Sequence, residues 1–433
     1  MNPHAASHWR GPRWSLALLL AGLSMLGPFS IDTYLPAFTG IAASLSATPV
    51  QMQQTLSAYL FGFAAMNLFH GSLADAFGRR PVVLTGIAVF ALASVGCAMS
   101  TSIGALIGFR ALQGLAAGAG MVVSRVIVRD LFPPVEAQRM LSQVTIWFGI
   151  APAVAPLFGG ILFDWLGWHS IFWLLVVIAC VLWLVNWRWL PETLAPEKAQ
   201  PFHPGPLLRG YAQMVSSGRF LALSMASGIP FNGMFLYVLS APVFLGEHLQ
   251  LAPTQFFWFF LCTVSGVMSG AWASGRLAGR VTPRTQVRWG YRVMMGIGVV
   301  NVALTALLPP HPAWAIVPVA IYAAGWSMMT PVVTLLLLDL VPERRGMASS
   351  VQSSLGSVAN GLVAGVLAPL VMHSPLALAL ASLALGATGL LGWTWVKRRL
   401  PWGLIGPDRC LGRHRRTGSA GLPRRYRGVE ARP

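Results

Sequence analysis

The chain has 433 residues, 55% of them hydrophobic and only 10% charged, with a positive mean hydropathy; this balance excludes an ordinary water-soluble globular protein. A net charge of +18 would suit nucleic acid, but the placement of the charges excludes it as a partner. Apart from Arg110, basic residues fall only at the termini and in alternate connections or the run ends beside them, among them Arg10 and Arg13, Arg79 and Arg80, Arg129 and Arg139, Lys198 and Arg209, Arg280, Arg284 and Arg288, Arg344, then Lys397 onward. The intervening connections hold Asp164, Glu247 and a few histidines but no lysine or arginine. This asymmetry predicts a multi-pass protein of the lipid bilayer with both termini in the cytoplasm.

Twelve runs are long enough to cross a bilayer: 15–38, 52–73, 82–101, 103–125, 138–162, 168–190, 219–245, 254–276, 289–308, 312–337, 345–370 and 374–396. The expected fold is therefore an all-α membrane protein of 12 transmembrane helices in two six-helix halves. The expected layout is a cytoplasmic N-terminus at 1–14, halves at 15–190 and 219–396, a proline-rich cytoplasmic linker at 191–218, and a basic disordered tail at 397–433.

The first run carries Phe29-Ser-Ile-Asp-Thr-Tyr-Leu-Pro36, which sets Asp32 in an otherwise apolar stretch. An ionised side chain at membrane depth costs at least about 2.5–3.5 kcal/mol, and such residues mark ion or substrate paths. After the second run comes Gly71-Ser-Leu-Ala-Asp-Ala-Phe-Gly-Arg-Arg80, in which Gly71 and Gly78 permit tight turns and Asp75 lies within reach of Arg79 and Arg80. The fourth run contains Arg110-Ala-Leu-Gln-Gly114. At 1.5 Å per residue Arg110 and Asp32 come to similar depth, and a charge pair between them would offset their burial. Gln113 extends the same face. In the fifth run Gly149, Pro152, Pro156, Gly159 and Gly160 recur every three or four residues, a stripe that lets another helix approach closely.

The second half repeats the first in degraded form. Gly275-Arg-Leu-Ala-Gly-Arg-Val-Thr-Pro-Arg284 echoes the hairpin, and Asp339-Leu-Val-Pro342 echoes Asp130-Leu-Phe-Pro133, at nearly the same offset. Gly279 replaces Asp75, so the halves are not equivalent. Tyr34, Tyr59, Asn67, Asn232, Tyr237 and Asn360, polar or aromatic within spans, are candidates with Gln113 to line a substrate cavity, and their mixture with Phe, Met and Trp suits a weakly polar, amphipathic compound. No zinc-ligand spacing, phosphate-binding Gly-Lys-Ser loop or nucleophile elbow occurs. The expectation is a transporter with no catalytic residue, metal or cofactor.

The hairpin matches, residue for residue, the Gly-x-Leu-Ala-Asp-x-x-Gly-Arg-Arg signature of the major facilitator superfamily, and the chain resembles that family. The resemblance implies that Asp75 and Arg79, with Arg80, Arg129 and Asp130, switch a cytoplasmic gate. Arg110-x-x-Gln-Gly114 is similar to the fourth-helix motif of proton-coupled members, which implies that Arg110 acts on a protonatable group, here Asp32. The fifth-run stripe resembles the antiporter motif of drug exporters, with Ala155 in place of its glycine. With Leu166-Gly-Trp-His-Ser-Ile-Phe172, these stretches are similar to the Bcr/CflA drug-resistance subfamily. The implied activity is a monomeric, proton-coupled exporter of chloramphenicol- or bicyclomycin-like compounds in the bacterial inner membrane. A proton-coupled importer of a nucleoside or sugar would use the same acid.

Overall fold

A computed structural model describes residue 9 and residues 11–200, 202–251 and 255–399. The basic tail expected beyond Lys397 lies, from residue 400, outside the described residues. The described residues are mostly helical. Helices α1 Arg13–Asp32, α2 Pro49–Phe77, α3 Arg79–Ala98, α4 Ile103–Leu131, α5 Pro134–Phe148, α6 Ala151–Leu166 and α7 His169–Trp189 form the first half. Helix α8 Pro204–Ser216 occupies the linker. The second half comprises α9 Gly218–Leu239, α10 Phe257–Leu277, α11 Pro283–Leu307, α12 Pro312–Leu340, α13 Arg345–Leu362 and α14 Pro375–Val396.

Short polar signals at the water boundary start these helices. Thr48 caps α2 in a capping box with Gln51, while Ser102, Thr282 and Ser374 cap α4, α11 and α14. Proline opens α2, α5, α8, α11, α12 and α14, where its missing N–H has no intrahelical partner to lose.

Among the described residues ten helices are long and apolar enough to cross a membrane. The second span, α2, has the length but is too polar by composition, with Gln51, Gln53, Gln54, Asn67, His70 and Asp75 along it. The fifth expected span is two helices, α5 and α6, parted at Gly149 and Ile150 ahead of Pro152. The first ends at Asp32 and continues as a 3₁₀ turn, Leu35–Ala37, and a short helix, Phe38–Ser44, because Pro28 and Pro36 remove backbone donors. The seventh and eleventh finish in π-helical turns, Pro242–His248 and Val363–Leu367.

Two apolar cores form. One is built from residues of α1 to α7 with Leu335 inserted from α12; the other runs from Met214 to Val396. Inside each half the second and fourth spans cross backbone to backbone. Gly62 and Gly114 bring α2 against α4, and a Cβ at Gly114 would fall onto the Tyr59 carbonyl. Gly266 and Gly270 bring α10 against α12, where a Cβ would fall onto the Ala320 and Ala324 carbonyls. The sequence repeat is thus also a repeat of packing. Overpacking a core costs about 1–3 kcal/mol. Gly270→Leu is accordingly expected to lower the apparent melting temperature of the detergent-solubilised protein, whereas Gly296→Leu, with open space around it, should leave it unchanged.

Candidate functional site

Asp32 is the last residue of α1, one turn after Pro28. It is partly buried, and its carboxylate makes no hydrogen bond or ion pair among the described residues. Arg110, on α4, is fully buried. The expected ion pair between them is absent. The guanidinium instead lies between two rings, 4.6 Å from the Tyr34 centroid and 4.3 Å from the Tyr59 centroid. Its Nη1 donates to Gln113 Oε1 at 2.6 Å, and Gln113 Nε2 donates to Ser94 Oγ at 2.7 Å. The π faces take the place the carboxylate was expected to fill, since desolvated cation–π contacts reach about 2 kcal/mol. Nε and Nη2 of Arg110 have no hydrogen-bond partner among the described residues.

The rings are themselves fixed. The Tyr34 hydroxyl pairs with Thr55 at 2.6 Å, and the Tyr59 hydroxyl donates to the Gly27 carbonyl at 2.9 Å while accepting from Ser30 at 2.8 Å. Tyr34, Tyr59 and Gln113 are therefore packed inside the first half around one cation and do not line an open cavity. Lysine in place of Arg110 cannot face both rings and Gln113 at once. Arg110→Lys is expected to reach the membrane in normal amount yet transport at least tenfold more slowly, measured by uptake into vesicles.

The other cavity candidates scatter. Asn67 packs against Gly118, and its Oδ1 has no partner among the described residues. Asn232 is buried and donates to the Gly228 carbonyl at 3.2 Å. Asn360 is half-buried, and Tyr237 lies in the second half beside Asn301. Polarity within a span marks these residues but not the side of the helix that faces the opposite half.

The hairpin residues enter a network of ion pairs and hydrogen bonds with the second half. Gly78, at φ +102°, ends α2 and starts α3, a backbone conformation that favours glycine. Gly71 makes no turn, contrary to expectation; it lies within α2, against the backbone of Gly346, and its N–H donates to Ser350 Oγ at 2.8 Å. Asp75 pairs with Arg79 at 2.7 Å and accepts from the backbone N–H groups of Gly346, at 3.1 Å, and Met347, at 2.8 Å, in the first turn of α13. Arg79 meets Asp130 at 3.3 Å, Asp130 meets Arg345 at 3.1 Å, Arg345 meets Asp339 at 3.7 Å, and Asp339 meets Arg129 at 2.6 Å. Three acids and three arginines alternate in one chain that crosses between the halves.

Arg80 stands outside this chain. One residue on from Arg79, it turns away and donates to the Trp187 carbonyl. Glu192, which the sequence placed only in the linker, accepts from the N–H groups of Arg79 at 3.0 Å and Arg80 at 3.1 Å and so caps α3. Asp339 and Arg345 belong to the same chain of ion pairs and were also missed. Asp339 was visible as the echo of Asp130, and Arg345 only as the first residue of the eleventh run.

Further bonds close the same end. Gln138 Nε2 donates to the Ser274 carbonyl at 2.9 Å and to Gln286 Oε1 at 2.8 Å, Arg139 donates to the Ala278 carbonyl at 3.1 Å, and Ser349 donates to the Val122 carbonyl at 2.9 Å. The linker adds the Tyr211 hydroxyl, 2.8 Å from both Ser72 Oγ and the Leu68 carbonyl. The halves are thereby joined at the end that carries the basic connections.

The fifth-span stripe does not act as one surface, because the break after Phe148 turns its two parts differently. Gly149 faces Met268 of the other half, Gly159 packs on the Thr33 carbonyl, Pro156 is exposed, and Gly160 has open space around it. The Pro152 side chain lies outside the described residues. Among the described residues no three His, Cys, Asp or Glu side chains gather as a metal site.

Residues 18–364 match the family described as Major Facilitator Superfamily. The chain is 30% identical to the bicyclomycin resistance protein homolog of Haemophilus influenzae, over 81% of this chain and 88% of that one. It is 26% identical to multidrug resistance protein D of Escherichia coli, over 89% of this chain and 96% of that one. In structure it is similar to the proton:xylose symporter XylE, with a TM-score of 0.69, 14% identity, and coverage of 90% of this chain and 96% of that one. Signature hairpin, paired helical halves and relatives agree: the chain belongs to the major facilitator superfamily, among relatives named for drug resistance.

Proposed function

We propose that the protein exports small amphipathic drugs of the chloramphenicol or bicyclomycin kind across the bacterial inner membrane in exchange for protons, as a Bcr/CflA-type antiporter. The observation that carries this reading is Asp32, a carboxylate without hydrogen bond or ion pair among the described residues, partly exposed at the end of a membrane helix. The same half also holds a buried arginine, Arg110, with two donors unused among the described residues. Both termini and the basic connections face the cytoplasm, so the gate of alternating charges is closed on the cytoplasmic side.

In this state Asp32 takes a proton from outside and is neutral, the form that membrane depth tolerates. Drug and proton each bind one arrangement of the halves better than the other, and that difference drives the exchange. When the gate parts, Asp32 loses its proton to the cytoplasm and the unused donors of Arg110 favour the resulting carboxylate. Export is tested with inside-out vesicles whose interior is made acidic. Labelled chloramphenicol or bicyclomycin is expected to accumulate inside and to leak out on addition of an uncoupler. Accumulation driven by the opposite gradient would assign the protein to import.

A further inference from the structure

The second half holds a cavity of about 240 Å³ at the end of the bundle away from the basic connections. It is bounded by Tyr237 at the end of α9, Phe244 in the π turn, Asn301 and Thr305 on α11, Trp314 at the start of α12 and Pro375 at the start of α14. Every lining residue belongs to the second half, so the site uses neither Asp32 nor Arg110 nor the gate.

Its floor is a polar pair in an apolar wall. Asn301 Nδ2 donates to the Tyr237 hydroxyl at 2.9 Å, and both residues are more than nine-tenths buried. The hydroxyl proton of Tyr237 and the Oδ1 of Asn301 have no partner among the described residues. One donor and one acceptor, side by side, are thus left for an occupant, and buried polar groups are rarely left unpaired. The Tyr237 and Phe244 rings meet edge to face, 5.0 Å apart, and Trp314 adds a third aromatic wall. No charged side chain lines the cavity. Its volume lies below the roughly 300–1,000 Å³ of drug-sized pockets.

From this geometry we propose a second ligand site in the C-terminal half, specific for small neutral aromatic amides. The carbonyl of such a compound accepts from Tyr237, its N–H donates to Asn301 Oδ1, and its ring lies among Phe244 and Trp314. The site is distinct from the interface between the halves.

The test uses benzamide and the full-length protein in lipid nanodiscs, with binding followed by saturation-transfer NMR and titration. Saturable binding is expected, at least tenfold tighter than that of toluene, which lacks the polar group, or of benzoate, which is charged. Tyr237→Phe should weaken it at least tenfold. Ala315→Trp and Leu376→Trp, which fill the cavity from two sides, should each abolish it, and the one whose melting curve matches the unmodified protein decides the point. Arg110→Lys should bind benzamide normally. Absence of saturable binding, equal binding of toluene, indifference to the cavity-filling change, or loss in Arg110→Lys would each overturn the proposal.

Discussion

Asp32→Asn is expected to abolish proton-driven drug accumulation, by at least a hundredfold in vesicles, while drug binding stays within a few fold of the unmodified protein. Asparagine is close in shape to the protonated acid but cannot lose the proton. The substitution therefore holds the site in its neutral form. Downhill drug movement should survive and lose its dependence on the pH gradient, because the two arrangements of the halves then differ only in their affinity for drug. No existing ion pair or hydrogen bond is broken by the change, since none engages this carboxylate among the described residues. Purely structural damage would lower binding as well as coupling. Drug exchange that still tracks the pH gradient in Asp32→Asn would remove Asp32 from the mechanism.

Gly71→Ala should stop the cycle by a different route. At this position α2 rests on the backbone of α13, and a single methyl group would fall onto the Gly346 carbonyl, with Ser350 Oγ 2.7 Å away. The Ser350 hydroxyl can rotate away, but the Gly346 carbonyl is backbone and moves only with its helix. The halves must move apart, lengthening the bonds from Asp75 to Gly346 and Met347. If the overpacking reaches the upper end of its usual range, about 3 kcal/mol, the closed arrangement loses roughly a hundredfold in population. Transport should fall by at least tenfold. A cysteine placed at Ser353, which accepts from Arg125 across the interface at 3.2 Å, should react faster with a thiol reagent supplied from the gate side. Gly104→Ala, with nothing nearby, serves as the control. Unchanged labelling and unchanged transport in Gly71→Ala would show that this approach does not set the gate.

Much of the fold was legible because the bilayer demands long apolar runs, and most helix ends fall within a few residues of those read from hydropathy. The breaks were harder. A proline inside an apolar run signals a defect but not its form, so the division between α5 and α6 and the π turns were not anticipated. The hairpin acid and arginines were legible from their spacing, whereas their partners Asp339 and Arg345 sit in the half whose repeat has decayed. Apart from Tyr237, which lines the cavity of the second half, the cavity candidates do not gather, and for a more general reason. Helices that are apolar on every side carry no periodic record of which face meets lipid, their own half or the opposite half. Tyr34 and Tyr59 were therefore read as facing substrate, though they enclose Arg110.

Asp75 belongs to one half, and the helix whose first amides it accepts from belongs to the other. Once the halves part, that turn of α13 presents bare N–H groups and the positive end of its dipole to solvent, with no acidic side chain within the turn itself. Dissolved chloride or phosphate and the Asp75 carboxylate then compete for the same amides. In the proposed orientation the ionic composition of the cytoplasm thus enters the resting balance of the transporter, with high anion concentration favouring the parted state.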